Sequence, residues 1–446
     1  MYACVETRNT ISPSVRTHTS EHSTIQMVIE AIAGGEHTLY SKDGALASAG
    51  ACGLGWCRLL SLNPSLFRFR AVPLPEPASL VHASYYHNLA VGKSSGLLYS
   101  WGCGTFTEGG LDGVIPALGQ GKDAEDTGAL PKVVDMPMET GEFIKHIAGG
   151  AYHSAVLMNT GKVFTFGAGQ LGQLGRSIQG VDSSGLPVDP LPGHAAIQQK
   201  VKRDGMDDAN DGIVEVVDAD KIGAGFYNTF AICNKGKLYC TGENQNEQCG
   251  VGPKNLHSFA QVREVGEEIV DQVEGGYCHT LVKTITGKVL SFGCGDDGQR
   301  GDGRVGDDSN RPVVTPIEIP VAAQALAAGA NHSVILGENG KVYAFGANDV
   351  GQCGVPSDPP IQDEEDDDDD DDEGSSVLAP KEVELPKEAG AVILVSAGYA
   401  HTVLTTESGK IFVFGQNDSG QLGVGAESFE RGEEPKIQTR PILVET

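Results

Sequence analysis

Residues 396–423 read Ser-Ala-Gly-Tyr-Ala-His-Thr-Val-Leu-Thr-Thr-Glu-Ser-Gly-Lys-Ile-Phe-Val-Phe-Gly-Gln-Asn-Asp-Ser-Gly-Gln-Leu-Gly. Two short apolar runs, Thr402–Thr405 and Lys410–Phe414, flank a Ser408-Gly409 turn. Their Val, Ile, Phe and Thr content suits paired strands, so the stretch predicts an antiparallel hairpin. A second glycine-rich turn, Gly415 to Gly423, follows it. The same sentence is written several more times upstream, and repetition at a fixed period decides the fold.

The marker of each copy falls at His37, His87, His153, Asn228, His279, His332 and His401, and the shortest spacings are 50, 51 and 53 residues. A further short strand recurs between copies, often after proline, as in Pro131-Lys132-Val133-Val134, Pro312-Val313-Val314 and Pro380-Lys381-Glu382-Val383. Four strands in about fifty residues is the size of a propeller blade. The sequence therefore predicts an all-β, seven-bladed β-propeller with four-stranded antiparallel blades. The last strand, Ile442–Val444, has no following copy. It is expected to pair into the first blade beside the hairpin around His37, closing the ring and removing an open sheet edge.

Sixty glycines and 6% aromatics in 446 residues agree with many tight turns between short strands. The formal net charge is −28, and it is still −17 without the eleven carboxylates of residues 363–373. Such a surface repels phosphate backbones and attracts basic partners, so direct DNA binding is not expected. The ten cysteines show no CxxC pairing and read as reduced thiols of a cytoplasmic or nuclear protein. No apolar run is long enough to cross a membrane as a helix. Residues 1–24 are rich in Ser and Thr without an apolar core and read as a disordered lead-in, a cleaved transit peptide being the other reading. Residues 25–446 read as a single, monomeric propeller.

The succession Gly-Gly-x-x-His, Gly-Lys-Val-Phe-x-Phe-Gly and Gly-Gln-Leu-Gly, clearest at Gly149–His153, Gly161–Gly167 and Gly172–Gly175, resembles the regulator of chromosome condensation family, which are seven-bladed propellers. The likeness spans about residues 30–446. Tryptophan-aspartate repeats do not fit two Trp and no such dipeptide at the blade period; kelch repeats would need Tyr and Trp downstream of the double glycine.

Three departures from the plain period carry functional expectations. Residues 105–130 interrupt the turn expected between blades two and three. They include Phe106, Glu108, Asp112, Val114 and Ile115, and the family's exchange factor for the nuclear GTPase Ran carries a wedge there, also with Gly-Val-Ile. The resemblance implies that this wedge presses on a GTPase. Residues 176–213 match a second insertion of that factor, which also lacks the repeat His in blade four, as Asn228 does here. The family's ultraviolet-B receptor relies on clustered Trp, and Trp56 and Trp101 are too few. A ubiquitin-ligase member would need a large further domain. The resemblance also places Tyr152 and Cys278 where the exchange factor has an acidic residue and a second His. Neither keeps that character. The basic N-terminal tail of that factor has no counterpart beyond Arg8 and Arg16.

The third departure lies in residues 356–379, expected between blades six and seven. It holds Asp363, Glu364, Glu365, Asp366, Asp367, Asp368, Asp369, Asp370, Asp371, Asp372 and Glu373 in succession. Self-repulsion favours an extended, solvated loop. Its functional reading is a docking strip for a basic tail, such as that of a histone, weakened by salt.

The repeat histidines fall one to a blade, which argues for hydrogen bonds to backbone near the central channel and against a metal set. Gly167–Gly172 and Gly293–Gly298 match GxGxxG without opening a helix, so neither predicts a dinucleotide site. No catalytic residue, metal or cofactor is expected. Two functions follow. One is nucleotide exchange on a Ran-like small GTPase by stabilising its nucleotide-free form. The other is a non-catalytic scaffold for histones or other basic proteins.

Overall fold

The valine- and phenylalanine-rich runs pair as expected. The computed structural model describes residues 29–50, 68–102, 105–106, 113–114, 118–120, 130–178, 188–201, 213–306, 313–359, 375–425 and 437–444. They form seven four-stranded antiparallel sheets and two two-stranded ones, with no α-helix among the described residues. Blade one comprises Ile29–Ala33, His37–Lys42, Ala45–Gly50 and Arg70–Ala71. Blade two comprises Ala78–Ala83, His87–Gly92, Leu98–Gly102 and Lys132–Val134. Blade three comprises Ile144–Gly149, His153–Met158, Val163–Ala168 and Val188–His194. Blade four comprises Ala219–Ala224, Asn228–Cys233, Lys237–Gly242 and Leu256–Gln261. Blade five comprises Val270–Gly275, His279–Thr284, Val289–Gly293 and Thr315–Ile317. Blade six comprises Ala323–Ala328, His332–Gly337, Val342–Ala347 and Ser376–Glu382. Blade seven comprises Val392–Ala397, His401–Thr406, Ile411–Gln416 and Ile437–Leu443.

In each blade the first strand lines the central channel, and the second is buried along nearly its whole length. The apolar side chains pack between blades rather than within one. Leu89 and Val156 meet between blades two and three, and Leu336 meets Val392 and Phe414 between six and seven. The last glycine of the Gly-Gln-Leu-Gly motif makes this possible. Gly354 has φ +65°, and a Cβ there would lie 2.8 Å from the Phe414 ring of the next blade. Only glycine tolerates both conditions.

The C-terminal strand does not enter the first blade. Ile437–Leu443 pairs with Ile411–Gln416 inside blade seven, in the register Phe412↔Leu443 and Val413↔Ile442. Blade one is built wholly from residues 29–71. The ring is closed instead by packing and by hydrogen bonds between loops and strands of blades seven and one. Ala31, Ala33 and Tyr40 bury against Val403, Val413 and Val444. The Ala33 amide donates to Ser396 Oγ at 2.9 Å, and the Tyr399 amide to the Gly35 carbonyl at 3.2 Å.

The insertions also fall elsewhere than the spacing suggests. Residues 105–130 precede the outer strand of blade two, so they interrupt that blade and not its junction with blade three. The acidic run likewise lies within blade six, before Ser376–Glu382. Residues 176–213 are not one insertion: they contain blade three's outer strand, then Gln198–Val201, which pairs with Ile213–Val216.

Candidate partner-binding face

In an antiparallel meander the first-to-second and third-to-fourth connections leave from the same edge. Each Gly-Gly-x-x-His loop and each Gly-Gln-Leu-Gly loop therefore sit on one face of the ring. Ser419 Oγ in the latter loop of blade seven donates to Glu36 Oε2 in the former loop of blade one, at 3.4 Å. Both the 105–130 stretch and the acidic run spring from this loop face. The Gln198–Val201 hairpin follows a fourth strand and belongs to the opposite face.

Beneath the loop face the six repeat histidines are buried and link neighbouring blades. The Nε2 atoms of His37 and His87 lie 2.6 Å from Asn88 Oδ1 and 2.7 Å from Ser154 Oγ. His153 reaches Thr229 Oγ1 at 2.9 Å and the Asn228 carbonyl at 3.2 Å. His279, His332 and His401 reach Ser333, Thr402 and Thr38 at 3.0, 2.9 and 3.1 Å. Four of these hydroxyls already donate to a motif carbonyl, as Thr402 does to Gln352 at 2.7 Å and Thr38 to Gln421 at 2.7 Å. They must then accept from the imidazole, so Nε2 carries a proton. Burial pushes the imidazoles of His279, His332 and His401 down to about 3 and those of His37 and His153 to about 4. Backbone was expected to be the partner, but the partners are mainly side-chain hydroxyls of the next blade. Asn228 turns back into its own blade and donates to the Glu243 carbonyl at 2.5 Å.

The two residues before each marker carry the surface. Tyr86, Tyr152 and Tyr227 stack from blade two to blade four, with ring centroids 5.2 and 5.8 Å apart. One position earlier, Tyr85 and Phe226 meet edge-to-face at 4.3 Å, and Tyr399 and Tyr277 adjoin them at 6.2 and 4.8 Å. These rings gather above the mouth of the channel, whose lining includes Tyr85. Tyr277 is 43% exposed and Tyr399 46%. The loops of the same face also carry Glu36, Glu243, Asp296, Asp297, Asp349 and Asp418. Asp296 and Asp349 approach Asp297, and burial together with these like charges raises its carboxyl. A face of clustered aromatics with carboxylates in its loops is suited to binding a protein, and no metal-holding cluster is found among the described residues.

A family model described as an RCC1-like domain matches residues 5–364, and models of the regulator of chromosome condensation repeat match 339–405 and 392–421. The chain belongs to this family. It is 28% identical to the mouse regulator of chromosome condensation over 395 residues, covering 85% of this chain and 83% of that protein. It is 29% identical to human probable E3 ubiquitin-protein ligase HERC6 over 64% of this chain, but spans only 24% of that protein's length. The fold is shared with Prp20p of Saccharomyces cerevisiae, with a TM-score of 0.67 at 18% identity over 96% of this chain and 91% of that one. That structure is described together with binding to Gsp1p and histones.

Part of the stretch 105–130 is described. Thr105–Phe106 pairs with Gly113–Val114, in the register Phe106↔Gly113 and Thr105↔Val114. Glu108, Asp112 and Ile115 lie outside the described residues, as does the whole run from Asp363 to Glu373. The base of that run is described: Asp358 Oδ2 accepts from the Leu378 amide at 2.8 Å, and Lys381 pairs with Asp358 at 2.6 Å. Tyr152 sits in the tyrosine stack. Cys278 is joined to Cys294, and Cys240 to Cys249, so the reading of all cysteines as reduced thiols is corrected at four positions. The aromatic cluster was not singled out in the sequence. Its signal was present, because Tyr85, Phe226, Tyr277 and Tyr399 occupy one column of the repeat alignment.

Proposed function

We propose that the propeller binds a protein through its loop face and that the partner is a Ran-like small GTPase whose nucleotide exchange it accelerates. The observation that carries this reading is the convergence of the wedge hairpin and the tyrosine stack on one face. That face belongs to a fold shared with the family's exchange factors. Exchange needs no bond to the protein. A propeller that holds the nucleotide-free GTPase more tightly than the loaded form lowers nucleotide affinity by the same factor. Release of labelled GDP from such a GTPase, followed by stopped flow, is the test. Acceleration at micromolar propeller, diminished by Phe106→Ala and Ile115→Ala, is expected; no acceleration ends the reading.

A second reading is favoured by Tyr152 and Cys278, which put a stacked ring and a disulfide where exchange chemistry of the family uses charged groups. On it, the protein is a scaffold for basic proteins such as histones, held by residues 363–373. Replacing that run with Gly and Ser should then abolish recovery of histones on the immobilised protein; unchanged recovery excludes the run.

A further inference from the structure

The inner strands of the seven blades enclose a cavity of about 170 Å³ along the central channel. Ile32, Leu80, Ile147, Ile222, Leu326 and Val395 supply much of its wall. Two carboxylates interrupt that apolar wall, Glu30 from blade one and Glu274 from blade five, and neither Lys nor Arg lines it among the described residues. The strand register sets the two at different depths. Glu30 pairs opposite Ser41, four residues after the marker of its blade, and Glu274 opposite Leu281, two after. Two residues of strand separate them by about 7 Å along the channel. Blades one and five are not neighbours in the ring, so the two side chains enter from different sides.

Neither carboxylate is fully served. Glu274 Oε1 accepts from the Gln272 side-chain amide at 2.9 Å, and Glu30 has no side-chain partner among the described residues. A third group in the cavity wall is also unserved. Ser84 is 3% exposed, and its Oγ has no hydrogen-bond partner among the described residues. Buried polar groups without partners are rare in folded proteins, and a ligand is one way of satisfying them.

We propose that the channel binds a linear aliphatic diamine, with one ammonium on Glu274, the other on Glu30 and the methylene chain against the apolar wall. A cavity with apolar walls and a few placed polar groups is the ordinary form of a small-molecule site. Its volume is ample, since a cavity of about 150 Å³ already takes benzene. The two nitrogens of an extended four-carbon diamine lie about 6 Å apart by ordinary bond lengths, close to the difference in depth of the two carboxylates. Burial raises both carboxyls, a desolvation cost that an ammonium offsets. An anionic ligand would meet two carboxylates and no cation in the wall.

The test is isothermal titration calorimetry on the full chain at about pH 8, above the Glu274 carboxyl at about 7. The ligands are putrescine, n-butylamine and the neutral butanediol of the same length. The diamine should bind one to one and at least about tenfold more tightly than the monoamine, and the diol should give no measurable heat. Glu274→Gln and Glu30→Gln should each weaken diamine binding about tenfold. Replacing residues 363–373 with Gly and Ser should leave it unchanged. Diamine binding no tighter than that of the monoamine overturns the proposal without reference to any variant. So does a Glu274→Gln protein that melts like the parent and binds the diamine as the parent does. Loss of binding on replacing residues 363–373 would put the diamine on the acidic run and overturn the proposal as well.

Discussion

His401 and Thr38 are 363 residues apart in the chain, yet the imidazole Nε2 lies 3.1 Å from the threonine Oγ1, and the same hydroxyl donates to the Gln421 carbonyl. This contact joins the last blade to the first, where no shared strand does so. Thr38→Val keeps the shape and takes the hydroxyl away from both groups, leaving the Gln421 carbonyl without it and the imidazole with only the His37 backbone. Its cost should be about 1–3 kcal/mol, from the loss of a hydroxyl that serves two buried polar groups. Chemical denaturation measures it. A double-mutant cycle with His401→Ala should show that most of the loss is shared between the two residues.

The buried histidines set the acid limit of the fold. His37, His82, His87, His146, His153, His279, His332 and His401 are all held below the usual imidazole range, with burial the largest cause in each. The folded state therefore refuses protons that the unfolded chain accepts once the pH drops below about 6.5. Their stabilisation is complete above that pH and is lost as the pH falls toward 4 and 3, at roughly 1.4 kcal/mol per pH unit for each group in the window. Glu274 acts in the opposite sense. Burial raises its carboxyl to about 7, so its contribution is present at low pH and fades as the pH rises through that value. One carboxyl does not offset eight imidazoles. The melting temperature should fall steeply between pH 6.5 and 5; a flat profile there would contradict the neutral, buried assignment.

The blade count and the four-stranded unit were legible because the marker His, the Phe-Gly strand end and Gly-Gln-Leu-Gly each answer to a local packing demand repeated in every blade. Gly398 makes room for His401, and Gly354 for Phe414. The closure was not legible. Pairing of Ile437–Leu443 within blade seven or into blade one satisfies the same alternation of side chains, and nothing local distinguishes them. The assignment of insertions to blade junctions failed for a related reason: the strands at Lys132–Val134 and near Lys381 were legible, but their spacing does not say whether each closes the preceding blade or opens the next. The aromatic cluster was hidden by distance: Tyr85 and Phe226 are 141 positions apart, and only the closed ring brings their rings to 4.3 Å.

Two cysteine pairs should survive isolation in the absence of reductant. Peptide mapping after alkylation should recover Cys240 linked to Cys249 and Cys278 linked to Cys294, with Cys233 and Cys353 as buried free thiols. Burial and nearby carboxylates push the Cys233 thiol up to about 12, so it should resist alkylation until the chain unfolds. The pairs close loops of 9 and 16 residues. By chain entropy each should contribute about 3 kcal/mol, read as a lower denaturation midpoint in reductant. Recovery of all four as alkylated thiols from unreduced protein would return them to the reduced state inferred from their spacing.

Two glycines separate the demands of packing from mere occurrence in a turn. A Cβ at Gly398 would fall 2.1 Å from the Gly34 carbonyl oxygen and 2.2 Å from His401 Cε1, so it would collide with the first blade's backbone and with the seam imidazole together. At Gly252, which also lies on the loop face, a Cβ meets nothing within 4 Å. Gly398→Ala should therefore cost more than about 3 kcal/mol, since neither neighbour can yield without opening the junction of blades seven and one. Gly252→Ala should leave stability within about 0.5 kcal/mol or raise it slightly, by restricting the unfolded chain. Equal denaturation midpoints for the two variants would mean that the seam is loose, and a frame loose at Gly398 could not hold Tyr399 in position one residue further on.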